Sequence, residues 1–278
     1  MNANTSASSK PPAPRRSDWP FWAGLWLLAA FYTLLIVAML AADAAFTTPG
    51  QFWRALQSRE IRYAIKLSLA SSGLTTIFSL WVSVPIGYLL ARVNFPGKAL
   101  VDAILDIPIV LPPLVIGLSL LILFQTPPGQ FVQRFIPITY AIPSVIIAQF
   151  TVACAFAVRT MRTTFDQINP RREQVALTLG CRRSQAFWLV VLPEARRGLL
   201  TAATLAWARA LGEFGPILVF AGATRMKTEV LPTTVFLELS VGNLEAAVAV
   251  ALLMVAAAVT VLVLIRCYGA EEPMGKLL

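Results

Sequence analysis

Histidine is absent from the 278 residues. With it go the commonest metal ligand, the usual general base and any Ser–His or Cys–His nucleophile. Charge is scarce. Asp, Glu, Lys and Arg make up 13% of the chain, about half of the roughly 25% usual in soluble domains. Cysteine occurs three times, as Cys154, Cys181 and Cys267. No two have metal-ligand spacing, and an odd count gives no disulfide framework. No HExxH or GxSxG occurs, and Lys66 is the sole lysine near an apolar stretch, so a Ser–Lys dyad is hard to build. An intramembrane hydrolase therefore lacks a catalytic set. The chain also lacks G-x-x-x-x-G-K-[ST]: Gly97-Lys98 has Arg92 where the first glycine should be, and no phosphate cradle results. No metal and no cofactor are expected.

What is present is apolar. Hydrophobic residues make up 57% of the chain, and mean hydropathy is +0.71. A single soluble domain of this length would not carry so much apolar sequence, so the chain reads as an integral membrane protein. Its net charge of +9 is explained without nucleic acid, because the arginines flank apolar stretches as cytoplasmic loops facing anionic lipid do.

Six stretches have spanning length: 20–42, 64–91, 100–124, 138–158, 199–221 and 244–266. Together they predict an all-α, polytopic helical bundle with about six transmembrane helices over 19–267. Residues 1–18, rich in Ser, Pro and Ala, read as a disordered cytoplasmic tail, and 268–278 as a second short one. The first stretch is too long for a signal-peptide core of roughly 7–15 residues and reads as a retained span. With the N-terminus inside, 15 Lys and Arg fall in inner segments and 7 in outer ones, with Arg209 inside a span. That bias places both termini in the cytoplasm. The first outer segment, "FWRALQSREIRYAIK", is itself basic and aromatic and suits an interfacial helix. Prolines 85, 108, 112, 113, 143 and 216 fall within the stretches and should bend them.

The densest charge lies in one inner loop, 159–198, which carries its own helix signals. Asn169-Pro170 is an N-cap followed by proline, Glu173 lies in the first turn, and Val175, Ala176 and Leu179 are placed on one face. Gly180 suits a left-handed stop. Ser184 can cap a second helix carrying Phe187, Trp188 and Val191, ended by Pro193. The loop is thus a helix–Gly–helix elbow with an apolar ridge, which suits either docking of a partner or an amphipathic connector.

From Gln174 this stretch resembles the cytoplasmic signature of ABC importer permeases, E-A-A-x3-G-x9-I-x-L-P. Ala176, Gly180, Val190, Leu192 and Pro193 stand at the expected spacing, while Gln174 replaces the motif glutamate and Val175 the first alanine. Glu173, one residue earlier, offers a substitute charge. "NFPGKALVDAILDIPIVLPPLVIGLSLL", "WARALGEFGPILVFAG" and "VLPTTVFLELSVGNLEAAVAVAL" extend the likeness to molybdate-type permeases, with sulfate and tungstate permeases close by. The resemblance covers about 60–266. It implies a permease homodimer, two partner ATP-binding cassette ATPase subunits, an extracytoplasmic oxyanion-binding protein, and inward movement of an oxyanion, molybdate foremost, by alternating access. It also implies that Glu173, Gln174, Val175, Ala176, Gly180, Leu192 and Pro193 couple the permease to its ATPase. A membrane scaffold would have no use for this signature.

Within the fifth stretch Arg209 and Glu213 lie four residues apart on one helical face. Charges inside a bilayer cost roughly 2.5–3.5 kcal/mol each on insertion scales, so the two read as an ion pair, with a pathway or gate role as the alternative. Gly212, Gly215 and Pro216 beside them would permit close packing or a bend. Asp102 and Asp106 are expected to pair with basic residues at the inner interface. The outer segment 223–243 is expected to enter the membrane as a gate or docking element.

Overall fold

The computed structural model describes residues 19–269. The tail expected at 1–18 lies outside them, as does that at 268–278 except for Tyr268 and Gly269, which belong to the last helix. Every regular element among the described residues is helical. The helices are α1 (Trp19–Phe46), α2 (Pro49–Gln57), α3 (Arg59–Arg92), α4 (Lys98–Val110), α5 (Pro113–Gln125), α6 (Pro127–Gln133) and α7 (Ile142–Gln167). They continue as α8 (Pro170–Thr178), α9 (Arg183–Ala186), a π-helical turn (Phe187–Val191), α10 (Leu192–Glu194), α11 (Arg196–Leu211), α12 (Gly215–Phe220), α13 (Leu231–Ser240) and α14 (Leu244–Gly269). Two compact units result: α1 by itself, and everything from Thr47 onward. The α1 helix is apolar all round and exposes Trp22, Phe31 and Leu35, as a helix immersed in hydrocarbon would.

Four helices are long and apolar enough to cross a membrane: Phe21–Phe46, Arg59–Arg92, Ile142–Gln167 and Leu244–Val263. The all-α membrane bundle is as expected, but two of the six expected stretches are not single helices. The stretch 100–124 is the pair α4 and α5, bent by 112° at Leu111-Pro112. Pro112 and Pro113 together remove two backbone donors, and the residue before a proline avoids the helical region. Leu111 is accordingly extended, at φ −65° and ψ 140°. The stretch 199–221 is broken at 212–214 into α11 and α12. The other prolines are milder. Pro85 and Pro108 stay inside helices, whereas Pro143 sits in a first helical turn.

The second unit is built on α3 and α7, packed along their lengths, with α11 against both. Closeness here comes from small side chains. Ser68, Ser71, Ser72, Thr75, Ser79 and Ser83 of α3 are buried, as are Ala148, Val152 and Ala155 of α7. A Cβ at Gly87 would lie 2.8 Å from the Met161 Cβ. Two apolar clusters cap this spine. One gathers Leu67, Val145, Ile217, Phe220 and Val230; the other, at the opposite end, gathers Met161, Phe165, Ile168, Val191 and Ala202. The second cluster seats the elbow.

Candidate coupling and pathway sites

The elbow begins as its sequence dictates. The Asn169 side chain accepts a hydrogen bond from the Arg171 N–H at 3.0 Å, and Pro170 opens α8. At the other end Gly180 has φ +92°, the left-handed region. The Cys181 N–H donates to the Ala176 carbonyl and the Gly180 N–H to the Leu177 carbonyl, both at 3.1 Å, which is the Schellman pattern. No atom lies within 4 Å of where a Gly180 Cβ would be. Glycine is needed there for its backbone, not for want of room.

Beyond Gly180 the structure departs from the expected second helix. The α9 helix opens at Arg183 with Arg182 as its cap, whose N–H donates to Gln185 Oε1 at 2.8 Å; Ser184 lies inside it and makes no cap. Pro193 does not stop the helix either. The chain widens into the π turn, where the Leu192 N–H reaches the Phe187 carbonyl, and then passes Pro193 in the first turn of α10 toward α11. Widening before a proline reassigns the carbonyl that its missing N–H would orphan. The expected face also splits. Val175 and Leu179 are 56% and 81% exposed, while Ala176 turns into the core at 7%.

The expected coupling residues therefore gather in one place with divided orientations. Gln174, Val175, Gly180 and Pro193 are exposed, Leu192 is half-buried, and Ala176 is buried. Glu173 points inward. Its Oε1 accepts the Tyr88 hydroxyl at 2.5 Å, and its Oε2 lies 3.6 Å from Arg92 Nε. Arg92 in turn donates through Nη2 to the Ile168 carbonyl at 2.9 Å. Arg172 pairs with Glu194 at 2.6 Å, tying α8 to α10. A groove of about 680 Å³ lies between the end of α3 and the elbow, with Leu89, Gln174, Arg183 and Trp188 on its walls. Tyr88 and Arg92 were not singled out from the sequence, since their partner lies 85 positions from Tyr88.

At the same end, Asp102 of α4 pairs with Arg162 of α7, and Asp106 lies 3.7 Å from Arg159. Both acids meet basic residues, as expected.

The pathway candidates lie around the break between α11 and α12. Arg209 Nη2 is 3.4 Å from Glu213 Oε2, and Glu213 is buried at 2%. The Arg209 guanidinium also lies over the Phe156 ring, 5.7 Å from its centroid. Gly212 is exposed and ends α11. Gly215 and Pro216 are packing residues: a Cβ at Gly215 would come within 2.8 Å of the Pro113 Cβ, and one at Gly117 within 2.8 Å of the Pro216 Cα. The two breaks thus touch.

The opposite end holds a charged cluster that sequence reasoning missed. Arg225, in the segment before α13, donates to Glu238 Oε1 at 2.8 Å and lies 3.6 Å from Glu229. Glu229 is wholly buried, and Glu238 is 7% exposed. Thr234 donates to Glu229 Oε1, and Asn243 to Glu238 Oε2. Burial pushes the Glu229 carboxyl above its ordinary range, against the Thr234 hydroxyl and Arg225. The Glu238 hydrogen bond raises Arg225 further, fixing its charge. Tyr63 and Ser68 of α3 hold this segment, donating to the Lys227 carbonyl at 3.0 Å and accepting the Leu231 N–H at 2.8 Å.

Broken and packed membrane helices, with a structured elbow at one end, form a polytopic membrane bundle. The chain belongs to the family of binding-protein-dependent transport system inner membrane components, matched over residues 83–268. It is 33% identical to the sulfate transport system permease protein CysT of Escherichia coli over 239 residues, 85% of this chain and 86% of that one. It is 32% identical to the molybdenum transport system permease protein ModB of Mycobacterium tuberculosis over 263 residues, 93% of this chain and 97% of that one. Among solved structures, a bacterial ABC transporter that imports the acidic polysaccharide alginate matches with a TM-score of 0.73 at 20% identity, covering 93% of this chain and 97% of that one. A second alginate transporter structure, in complex with its alginate pentasaccharide-bound periplasmic protein, matches with a TM-score of 0.73 at 17% identity, covering 90% and 93%. The chain is an ABC importer permease, a multi-pass transport component of the inner membrane.

Proposed function

We propose that this permease carries an oxyanion inward, molybdate foremost, as a homodimer driven by two ATP-binding cassette ATPase subunits. An extracytoplasmic binding protein delivers the anion, and both termini face the cytoplasm. The observation that carries the coupling role is the elbow: a rigid turn at Gly180 that presents Val175 and Leu179 to the outside. Exposed apolar side chains on a charged, capped helix are what a partner surface would cover. Gln174 stands beside them, so the motif position is available for contact even without a carboxylate. In this reading 159–198 is the coupling segment, and Arg209 with Glu213, Gly212, Gly215 and Pro216 flanks the translocation path. Positive-inside bias and the absence of a phosphate-cradle motif support the division of labour. Sulfate or tungstate is the second reading, favoured by the similarity to CysT.

The test is reconstitution with its ATPase subunit and its binding protein. Labelled molybdate, tungstate and sulfate would be offered in turn. Molybdate uptake dependent on ATP is expected. Sulfate uptake with molybdate refused would replace the substrate, and failure to recover any ATPase subunit with the permease would overturn the coupling role.

A further inference from the structure

We propose that Glu173 is a positioning residue that makes the elbow and the last turns of α3 move as one body, through the Tyr88 hydroxyl and Arg92. The proposal rests on the coupling role given to the elbow and names how its movement enters the bundle. Three observations converge. Glu173 sits in the first turn of α8, yet its carboxylate faces α3, with both Glu173 and Arg92 side chains only 12% exposed. The same arginine grips the Ile168 carbonyl at the hinge between α7 and α8. The Tyr88 ring is held edge-on between Phe165 of α7 and Phe187 of the π turn, with centroids 5.6 and 4.8 Å away. One tyrosine thus touches helices on both sides of the elbow while its hydroxyl carries the polar contact.

The position on α3 matters. Pro85 lies three residues before Tyr88 and removes one backbone hydrogen bond, so the helix has its weakest point just inside the contact. Below that point the helix is bonded to the elbow. At Gly87 it lies against Met161 too closely for any side chain to intervene. A displacement of α8 therefore enters α3 below Pro85 and reaches α7 through Gly87. The carboxylate at position 173 works inside the permease, while Gln174 remains at the outer surface. The pair also has travel left: Arg92 Nε has no hydrogen-bond partner and lies 3.6 Å from the carboxylate, a short shift from a charge-assisted bond.

The experiment compares wild type, Tyr88→Phe, Glu173→Gln, Glu173→Asp and the double Tyr88→Phe/Glu173→Gln in the reconstituted complex. The readouts are ATPase subunit recovered and ATP hydrolysed per anion carried. Tyr88→Phe keeps the ring and its packing and should retain the ATPase subunit. It should raise the ATP consumed per anion by about tenfold or more, the effect of losing one charge-assisted hydrogen bond on a two-state equilibrium. The double variant should be no worse than Glu173→Gln, and Glu173→Asp should recover part of the coupling. Normal coupling in Tyr88→Phe would overturn the proposal. So would loss of the ATPase subunit in Glu173→Gln with none in Tyr88→Phe, because the carboxylate would then face the partner. If wild type recovers no ATPase subunit, the coupling role itself fails, which is a different result.

Discussion

The two ends of the bundle use charge in opposite ways. At the elbow end, apart from Arg92 and Glu173 at 12% exposure, the ion pairs between elements stay partly open to water. Arg159 and Asp106 have side chains 65% and 43% exposed, and Arg172 is 64% exposed. At the other end, one arginine serves two buried carboxylates within a single stretch of chain, 225–238. Exposed pairs are worth about 0–1 kcal/mol and can be exchanged. A buried carboxylate that loses its only cation is worse off by several times that. One end is therefore fastened throughout, and the other joins one buried pair to several that can be exchanged. An importer needs that asymmetry if a partner acts on the elbow.

Substitutions at four places test the contrast. The largest effect is expected for Arg225→Ala, which strands Glu229 and Glu238; loss on the order of 3–5 kcal/mol should appear as a strongly lowered unfolding temperature in detergent. An unchanged midpoint would erase the distinction between the ends. Next comes Gly180→Val. A β-branched side chain at positive φ is strained by roughly 1–2 kcal/mol or more, so ATPase recovery should fall about tenfold while insertion stays normal. Gly180→Asn should stay near wild type, because asparagine tolerates this region and no neighbour crowds it. Equal losses for Val and Asn would mean that space, not backbone, is what the turn needs.

The Arg209–Glu213 pair comes third. If Arg209 chiefly neutralises Glu213, either single glutamine variant should assemble poorly and the double should recover much of the loss. An assembled but transport-dead double beside an active Glu213→Gln would give Arg209 a pathway role instead. The smallest effect belongs to Arg159→Gln, expected to shift stability by less than about 1 kcal/mol. A large shift there would show that the elbow end is fastened after all. Topology sharpens the comparison further: a cysteine at Lys227 should react with a membrane-impermeant thiol reagent from outside, and reaction only from the cytoplasmic side would reverse the assignment of the ends.

What could be read from the sequence was local. Asn169 and Gly180 mark the ends of α8 because capping depends on residues a few positions apart. The Arg209–Glu213 spacing is a single helical turn and survives at the end of α11. What could not be read depends on distant chain or on competing local options. Glu173 found Tyr88 and Arg92 across the bundle, and nothing near 173 specifies them. Pro193 reads as a stop by propensity, yet a π turn lets the chain through. Pro112 and Pro113 predict a bend in one span, whereas the chain turns there by 112°. Nothing local marks Glu229 and Glu238 as buried; they are buried where α13 packs against α3 and α14.

The contact between the two breaks has an evolutionary consequence. Position 215 admits no side chain because Pro113 occupies the space, and position 117 admits none because Pro216 does. Neither glycine can gain a side chain without separating α5 from α12, because backbone atoms that every residue carries stand in the way. Relatives should therefore keep glycine at both 117 and 215. A relative with a larger residue at either position must hold the two corners farther apart.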